Sequence, residues 1–247
     1  MTSELAADPR DAGLDPAALT RMAQGFDAYV DDGRLPGWMV TLWRGGARAW
    51  TGRGGFASRA RAEPVAEDTI WRIYSMTKPI TALLVMGLVD DGVLTLDDDV
   101  ARWVPELEGA TVFVGGTPED PVTRPAGAAI TVRHLLSRTS GLTYGFTFRH
   151  PVDAMYRARG HLFGSSGKGL AESVADWGAT PLVFDPGTLF TYSVAFDVLG
   201  HLVEVATGRG LDAVMRERVL DPLGLADTDW WCPPEKVGRL ADLELAP

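Results

Sequence analysis

The chain has 247 residues, of which 46% are hydrophobic, so it is long enough to form one large domain or two small ones with a sizeable core. Its formal net charge is −10 at pH 7, and a chain this acidic is a poor candidate for binding the phosphate backbone of nucleic acid. The single cysteine excludes an internal disulfide framework and favours a reducing compartment, so we expect a cytoplasmic protein.

Membrane-directing segments are not evident in the sequence. The first residues, MTSELAADPRDAGLDP, contain neither the basic n-region nor the apolar h-region of a signal peptide. The longest apolar run, residues 80–89, is far shorter than the ~20 residues that a membrane-spanning helix needs. We therefore expect neither a membrane nor a nucleic-acid partner.

The N-terminal third of the chain predicts a helix, a hairpin and a second helix. Asp15 and Pro16 are typical of an N-cap and a first helical position, and apolar residues recur at helical spacing up to Gly33. The segment GWMVTLWRGGARAWTGRGGF, residues 37–56, predicts a β-hairpin that turns at its Gly-Gly pair. The next helix is expected at residues 75–91.

The rest of the chain predicts loops and short helices. We expect residues 93–130 to be mainly loop, with one short helical piece near DDDVARWV, and residues 142–167 to be irregular. Thr131 is expected to cap a short helix that breaks at residues 140–141. Three further helices are predicted, at residues 168–179, 193–208 and 211–221. The order of a hairpin followed by helices lacks the alternation that predicts a parallel βαβ sheet.

The stretch WRIYSMTKPITALLVMGLVDDG places Ser75 three residues before Lys78. Proline is tolerated in the first helical turn, where backbone N–H groups lack partners, so Pro79 puts the helix start at about residues 74–76. Serine is among the preferred N-cap residues. The simplest interpretation is that Ser75 caps the helix and Lys78 is a surface lysine.

The same spacing is also compatible with a catalytic pair. Residues i and i+3 share a helix face, so Lys78 Nζ can reach Ser75 Oγ. The partial positive charge at a helix N-terminus stabilises an anion and opposes protonation of a nearby amine. The apolar run that follows would bury the pair, and a buried lysine at that place would be neutral near pH 7 and act as a base.

Other chemical signals are weaker. No Gly-x-Ser-x-Gly occurs, so an α/β-hydrolase nucleophile elbow is not supported. The four histidines lack His-Glu-x-x-His or cysteine-paired spacing, so we predict no metal. Tyr192 lies just before a strongly predicted helix, where a tyrosine usually packs and finds a partner for its hydroxyl. Taken alone, Tyr192 is a weak indication of a site.

Three stretches together resemble the serine β-lactamase and penicillin-recognising family, and most closely its family VIII carboxylesterases and class C β-lactamases. They are SMTKPITALLVMGLVDDGVLTLDDDVARWVPEL, ITVRHLLSRTSGL and PGTLFTYSVAFDVLGHLVEVATG. The likeness extends to the N-terminal helix, the hairpin and VLDPLGLADTDWW, so it spans nearly the whole chain in the same order. A Ser-x-x-Lys pair alone is a weak signal, whereas this ordered set is specific.

The resemblance implies Ser75 as the nucleophile, Lys78 as its proton-accepting partner and Tyr192 as the second acid/base. It implies no cofactor. The implied fold is α/β (α+β) and β-lactamase-like, with an antiparallel sheet flanked by helices beside a helical domain.

The resemblance also implies where the domain boundaries lie. Residues 1–92 would form the N-terminal part of the α/β domain, residues 93–220 a mainly helical domain that carries the tyrosine motif, and residues 221–247 the start of the return to the α/β domain. The family also carries a third motif on a late strand, Lys-Thr-Gly or a His- or Trp-containing equivalent, which nothing after Tyr192 matches. We therefore expect an incomplete sheet, completed by a C-terminal segment or a second chain.

The tyrosine motif departs from the Tyr-x-Asn of β-lactamases and D-Ala-D-Ala peptidases, because Val194 stands at its third position. An asparagine amide can hydrogen-bond a substrate amide, whereas valine cannot. This departure favours the esterase branch. The predicted function is that of a serine hydrolase that cleaves short-chain carboxylic esters, a small-molecule substrate, through an acyl-enzyme on Ser75.

Two alternatives stay open at this stage. One is a β-lactamase, peptidase or other amide hydrolase of the same fold. The other is a non-catalytic binding or regulatory module that keeps the fold without turnover, and the unmatched third motif is its motivation.

Overall fold

Residues 8–163 and 167–244 are described by a computed structural model, in which they form two compact units. The first unit joins the residues up to Ile73 with those from Asp229 onward, and the second contains Tyr74–Thr228. Residues 1–7, on which the expectation of no signal peptide partly rests, lie outside the described residues.

Helices dominate the secondary structure. The α-helices of the described residues are α1 (Pro16–Asp31), α2 (Thr77–Asp90), α3 (Val132–Leu136), α4 (Pro151–Ala158), α5 (Leu170–Gly178), α6 (Ala195–Thr207) and α7 (Leu211–Met215). The strands are β1 (Gly37–Arg44), β2 (Ala47–Ser58), β3 (Glu63–Pro64), β4 (Thr111–Gly116) and β5 (Pro121–Pro125). A π-helical turn, Arg216–Leu220, continues α7.

The first unit is built on an antiparallel sheet in the order β1-β2-β3. The turn between β1 and β2 uses Gly45 and Gly46 at φ values of 60° and 81°, in the left-handed region that favours glycine. The hairpin predicted at residues 37–56 is therefore confirmed. The later part of the chain returns to this unit, where Leu240 pairs in parallel with Ile70.

Helix α1 packs on this sheet through a tryptophan. The indole Nε1 of Trp38 donates a hydrogen bond to Asp27 Oδ1 at 2.9 Å, and its ring stacks on Phe26 with centroids 5.0 Å apart. The helix begins as predicted, because the Asp15 side chain accepts the N–H of Ala17 at 2.9 Å. A helix on one face of the hairpin gives the sheet the packing that an isolated hairpin lacks.

The second unit has its own hydrophobic core, in which α2 and α6 are central. Leu84, Val85 and Leu88 of α2 recur at helical spacing and are at most 1% exposed. Val198 and Leu202 of α6 are fully buried in the same core. Each such side chain contributes about 1.5–3 kcal/mol by leaving water, so this contact fixes the positions of both helices.

Most of the predicted helices of this unit are confirmed, with ends shifted by a few residues. Thr131 caps α3 by accepting the N–H of His134 at 3.2 Å. Gly208 ends α6 at φ 66°, in the left-handed conformation typical of a helix C-terminus. Both signals depend on local chemistry alone, and that is why the sequence predicts them.

The expectation for residues 93–130 was incomplete, and that for residues 142–167 was wrong. Residues 93–130 contain the β4–β5 hairpin in addition to loops, and β5 is exposed along its whole length, so it has no apolar alternation to reveal it. Residues 142–167 contain α4, whose first turn is capped when His150 Nδ1 accepts the N–H of Val152 at 3.2 Å. Histidine is not among the usual N-cap residues, so the sequence gives little sign of this start.

The units of the structure divide the chain after residues 73 and 228. The boundaries expected from the sequence lie after residues 92 and 220, and that three-part division stays a prediction.

Candidate active site

Ser75 lies in a 3₁₀ turn, Tyr74–Met76, that leads directly into α2. The N-cap position of α2 is Met76, and no side chain accepts a capping hydrogen bond there. Ser75 is thus not a helix cap, and its exposed hydroxyl is available for other contacts. The residue before it, Tyr74, has a φ of 43°, an uncommon backbone conformation for a residue with a side chain.

Lys78 lies one helical turn beyond Ser75 and faces the same way. Its Nζ donates to Ser75 Oγ at 3.5 Å, the reach expected for residues i and i+3. The same Nζ lies 4.8 Å from the ring centroid of Tyr192 and 5.9 Å from that of Tyr144. The lysine is half-buried rather than enclosed by the apolar run that follows it.

Tyr192 lies beside the same serine hydroxyl. Its hydroxyl and Ser75 Oγ are hydrogen-bonded, and either oxygen can donate. The tyrosine stands just before α6, where Val194 is fully buried and donates its N–H to the Thr143 carbonyl at 3.3 Å. The structure therefore brings together all three residues that the sequence singled out.

The surroundings of Tyr192 favour loss of its proton. Desolvation by burial raises the pKa of Tyr192, but the contacts with Ser75 and Lys78 and the positive charges of Lys78 and Arg138 outweigh it, so the pKa is lower than usual. A phenol with a lowered pKa, hydrogen-bonded to a serine hydroxyl, is suited to accept the proton of that hydroxyl.

Tyr144 and Asp197 also belong to this cluster, and the sequence analysis missed both. The Tyr144 ring lies 5.4 Å from that of Tyr192, and its hydroxyl lies 3.4 Å from Asp197 Oδ2. Burial, ahead of the charge of Asp197, raises the pKa of Tyr144, and burial also raises the pKa of Asp197. The segment SGLTYGF, which contains Tyr144, has no regular apolar pattern that would link it to Ser75.

An aromatic row continues outward from Tyr144. The Phe146 ring stacks on Tyr144 with centroids 5.0 Å apart, and Phe163 stacks on Phe146 at 5.1 Å. Phe163 is 75% exposed. The row therefore runs from Tyr144, which packs beside Tyr192, to an exposed phenylalanine, and it presents an apolar, planar surface.

The other serines that could compete as nucleophiles are placed differently. Ser140 and Ser193 are fully buried, and each hydroxyl accepts a backbone N–H, from Leu142 at 3.4 Å and Ala195 at 3.3 Å respectively. Ser165 and Ser166 lie outside the described residues. Ser75 differs from the buried pair in having an exposed hydroxyl with a lysine and a tyrosine beside it.

Three of the histidines take part in helix caps or contact a carboxylate. His134 and His150 belong to helix caps, and His161 Nε2 contacts Asp176 at 2.8 Å. Within residues 8–163 and 167–244 there is no group of three or more His, Cys, Asp or Glu arranged to hold a metal ion. The helices in those ranges are too short or too polar to cross a membrane.

Comparisons with known proteins point to one family. The family model described as Beta-lactamase matches residues 22–246. Esterase EstB of Burkholderia gladioli is 36% identical over 223 residues, which cover 89% of this chain and 54% of the esterase.

Solved structures agree with that match. EstCE1, described as a hydrolase with promiscuous acyltransferase activity, superposes with a TM-score of 0.77 at 32% identity, over 91% of this chain and 56% of its own. Simvastatin synthase (LovD) from Aspergillus terreus gives a TM-score of 0.74 at 32% identity, over 93% and 57%. These likenesses confirm the fold class, with mixed helices and small antiparallel sheets. The chain spans about half the length of the curated relatives that it matches.

Proposed function

Since the chain belongs to the beta-lactamase family, we propose that it is a serine hydrolase that cleaves short-chain carboxylic esters through an acyl-enzyme on Ser75. The observation that carries the proposal is the hydrogen bond between Ser75 Oγ and the Tyr192 hydroxyl, with Lys78 Nζ 3.5 Å from the same oxygen. The names of the relatives, which include an esterase and a hydrolase, support the same reaction class.

The first half of the proposed reaction acylates the serine. Ser75 Oγ bonds to the ester carbonyl carbon while its proton passes to the phenolate oxygen of Tyr192. The backbone N–H of Ser75 is proposed as one donor to the resulting oxyanion. When the bond to the alcohol oxygen breaks, Tyr192 returns the proton to that oxygen and the alcohol leaves.

The second half of the proposed reaction is hydrolysis of the acyl-enzyme by water. Tyr192 takes a proton from water as the water oxygen bonds to the acyl carbon, and the proton then passes to Ser75 Oγ as the acid is released. Lys78 lies near both oxygens, so we assign it to the proton relay and to stabilisation of the phenolate. No cofactor enters these steps.

Esters rather than amides are the proposed substrates because of Val194. The valine side chain has no polar atom, so it cannot offer the hydrogen bond to a substrate amide that asparagine would, and it is fully buried. Initial rates on a short-chain aryl ester and on a chromogenic cephalosporin separate the two classes. Faster turnover of the cephalosporin would favour the amide alternative.

The remaining finer assignments are also proposals. A further C-terminal segment or a second chain is proposed to complete the sheet and the oxyanion site, and the greater length of the relatives supports it. The single cysteine supports a cytoplasmic location.

The acyl-enzyme itself is the most direct test. The protein is treated with a fluorophosphonate, and the adduct is mapped by mass spectrometry. We expect one adduct, on Ser75, lost in Ser75→Ala and retained in Ser137→Ala, which removes an exposed hydroxyl at the end of α3. No adduct at all would support the non-catalytic alternative, and an adduct on another serine would overturn the assignment.

A further inference from the structure

Arg138 lies at the turn after α3 with its guanidinium group among three aromatic rings. Its guanidinium carbon lies 5.0 Å from the ring centroid of Tyr192, 5.5 Å from that of Phe196 and 6.0 Å from that of Phe190. A cation within about 6 Å of a ring centroid is attracted by the electron density of the ring. Arg138 is half-buried in this position.

The backbone ties Arg138 to the segment that carries the tyrosine. Its carbonyl accepts the N–H of Thr191, the residue before Tyr192, at 3.0 Å, and its own N–H donates to the Leu135 carbonyl at 3.1 Å. Arg138 has a φ of 59°, a left-handed conformation that costs free energy for any residue other than glycine. The two hydrogen bonds hold the backbone of Arg138 in this strained conformation, and they therefore fix the position of its Cα atom and the direction in which its side chain leaves the backbone.

The charge of Arg138 is not neutralised by a nearby carboxylate among the residues that the structure describes. Arg133, on α3, shows the contrast, because its Nε pairs with Asp97 Oδ1 at 2.8 Å. An arginine without a carboxylate partner acts more strongly on the groups around it than one whose charge is paired. Here the reactive group among those neighbours is Tyr192.

We propose that Arg138 is a positioning residue that acts through Tyr192, by favouring its phenolate form and by holding the segment that carries it. The inference rests on the proposed function, in which the Tyr192 phenolate accepts the Ser75 proton. A positive charge near the ring stabilises a phenolate more than a phenol, because the phenolate spreads negative charge over the ring.

The other charged and titratable groups near Tyr192 fit this role. Lys78 approaches the ring from α2 at 4.8 Å and also stabilises the phenolate. Tyr144 packs against Tyr192 and faces Asp197, whose negative charge acts in the opposite sense, and burial raises the pKa of both groups. Arg138 and Lys78 therefore come from two different segments, and both place a positive charge near the phenol ring of Tyr192.

The test compares Arg138→Gln and Arg138→Lys with the original protein. The Tyr192 phenol is titrated by its ultraviolet absorbance, with Tyr192→Phe as the blank, and kcat/KM for an aryl ester is measured against pH. In Arg138→Gln we expect the titration and the acidic limb of kcat/KM to move up by about one pH unit. The rate at pH 7 then falls about tenfold and recovers at high pH. Arg138→Lys keeps the positive charge, so its Tyr192 titration and its pH profile of kcat/KM should stay close to those of the original protein.

Arg133→Gln is the matched control, since it removes an arginine of the same segment that is paired with Asp97. It should leave both curves unchanged. Equal titrations in Arg138→Gln and Arg138→Lys would overturn the proposal, as would a loss of kcat/KM that is the same at every pH. A rise in KM confined to anionic esters would also overturn it and make Arg138 a substrate-binding residue. Because the absorbance titration needs no turnover, a failure of the proposed reaction stays distinguishable from a failure of this inference.

Discussion

The Tyr192 hydroxyl is hydrogen-bonded to Ser75 Oγ although the two residues are 117 positions apart in the sequence. Ser75 is positioned by the turn before α2, and Tyr192 by the start of α6. Both helices are fixed by the same buried core, so the contact depends on the packing of the whole second unit.

Removal of the Tyr192 hydroxyl should abolish most of the activity. In Tyr192→Phe we expect kcat/KM for an aryl ester to fall by about 10²–10⁴-fold, the usual effect of losing a general acid–base group. Tyr29→Phe, at an exposed tyrosine of α1, is the control and should be unaffected. Retention of more than half the activity would refute the role of Tyr192.

The rate should also depend on pH with a definite sign. In the proposed mechanism the active form is the phenolate, which exists above the pKa of Tyr192. Burial raises that pKa, but the contacts with Ser75 and Lys78 and the charges of Lys78 and Arg138 lower it below its usual value. In the original protein kcat/KM should therefore rise with pH. The rise should be missing from the residual activity of Tyr192→Phe. A flat profile in the original protein would contradict the mechanism.

Replacement of Lys78 by arginine keeps a positive charge but should still be damaging. Arginine stays protonated in proteins, so it cannot relay a proton between Ser75 and Tyr192. We expect Lys78→Arg to lower kcat/KM by about 10²–10⁴-fold. Lys168→Arg is the control, since Lys168 forms an ion pair with Asp176 that arginine can also make. Near-normal activity of Lys78→Arg would mean that only the charge of Lys78 is required.

A methyl group at Gly141 should destabilise the protein. Gly141 has a φ of 86°, and an added Cβ would lie 2.4 Å from the Phe184 carbonyl oxygen. Gly109 also has a positive φ, of 62°, but an added Cβ there meets nothing within 4 Å. Gly109→Ala should cost about 1–2 kcal/mol of unfolding free energy from backbone strain alone, and Gly141→Ala distinctly more. Urea denaturation of the two variants measures the difference, and equal costs would show that the segment yields to the added Cβ.

The ion pair between Arg124 and Asp185 should make stability depend on pH in the acidic range. The hydrogen bond from Arg124, followed by that from the Gly127 N–H, lowers the pKa of Asp185 to about 2. A carboxyl whose pKa is lower in the folded protein stabilises it above the unfolded value of about 3.9, and this contribution is lost as the pH falls towards 2.

The measurement is the urea midpoint at several pH values between 5 and 2. Asp185→Asn should remove the part of the pH dependence that belongs to this carboxyl, whereas Glu119→Gln, at an exposed carboxylate near β5, should leave it in place. Identical slopes for the original protein and Asp185→Asn would show that the pair contributes nothing.

The sequence predicts the features that local chemistry determines. The Asp15 and Thr131 caps and the Ser75–Lys78 spacing all depend on residues within one helical turn, and the structure has each of them. The role of Tyr192 came from the family resemblance, because no local pattern links it to a serine so distant in the chain. Tyr144 and β5 were missed for a related reason, since each is defined by partners that are far away in the sequence or by a pairing without apolar alternation.

The burial of Val194 limits how the specificity of this protein can change during evolution. The position equivalent to the family's asparagine is part of the hydrophobic core, and its N–H is already bonded to the Thr143 carbonyl. A single substitution to asparagine would place an amide among apolar side chains, at a cost of about 1–3 kcal/mol for each group left unpaired. If the proposed ester specificity is right, a change to amide-directed activity at this position would lower stability unless neighbouring core residues change as well.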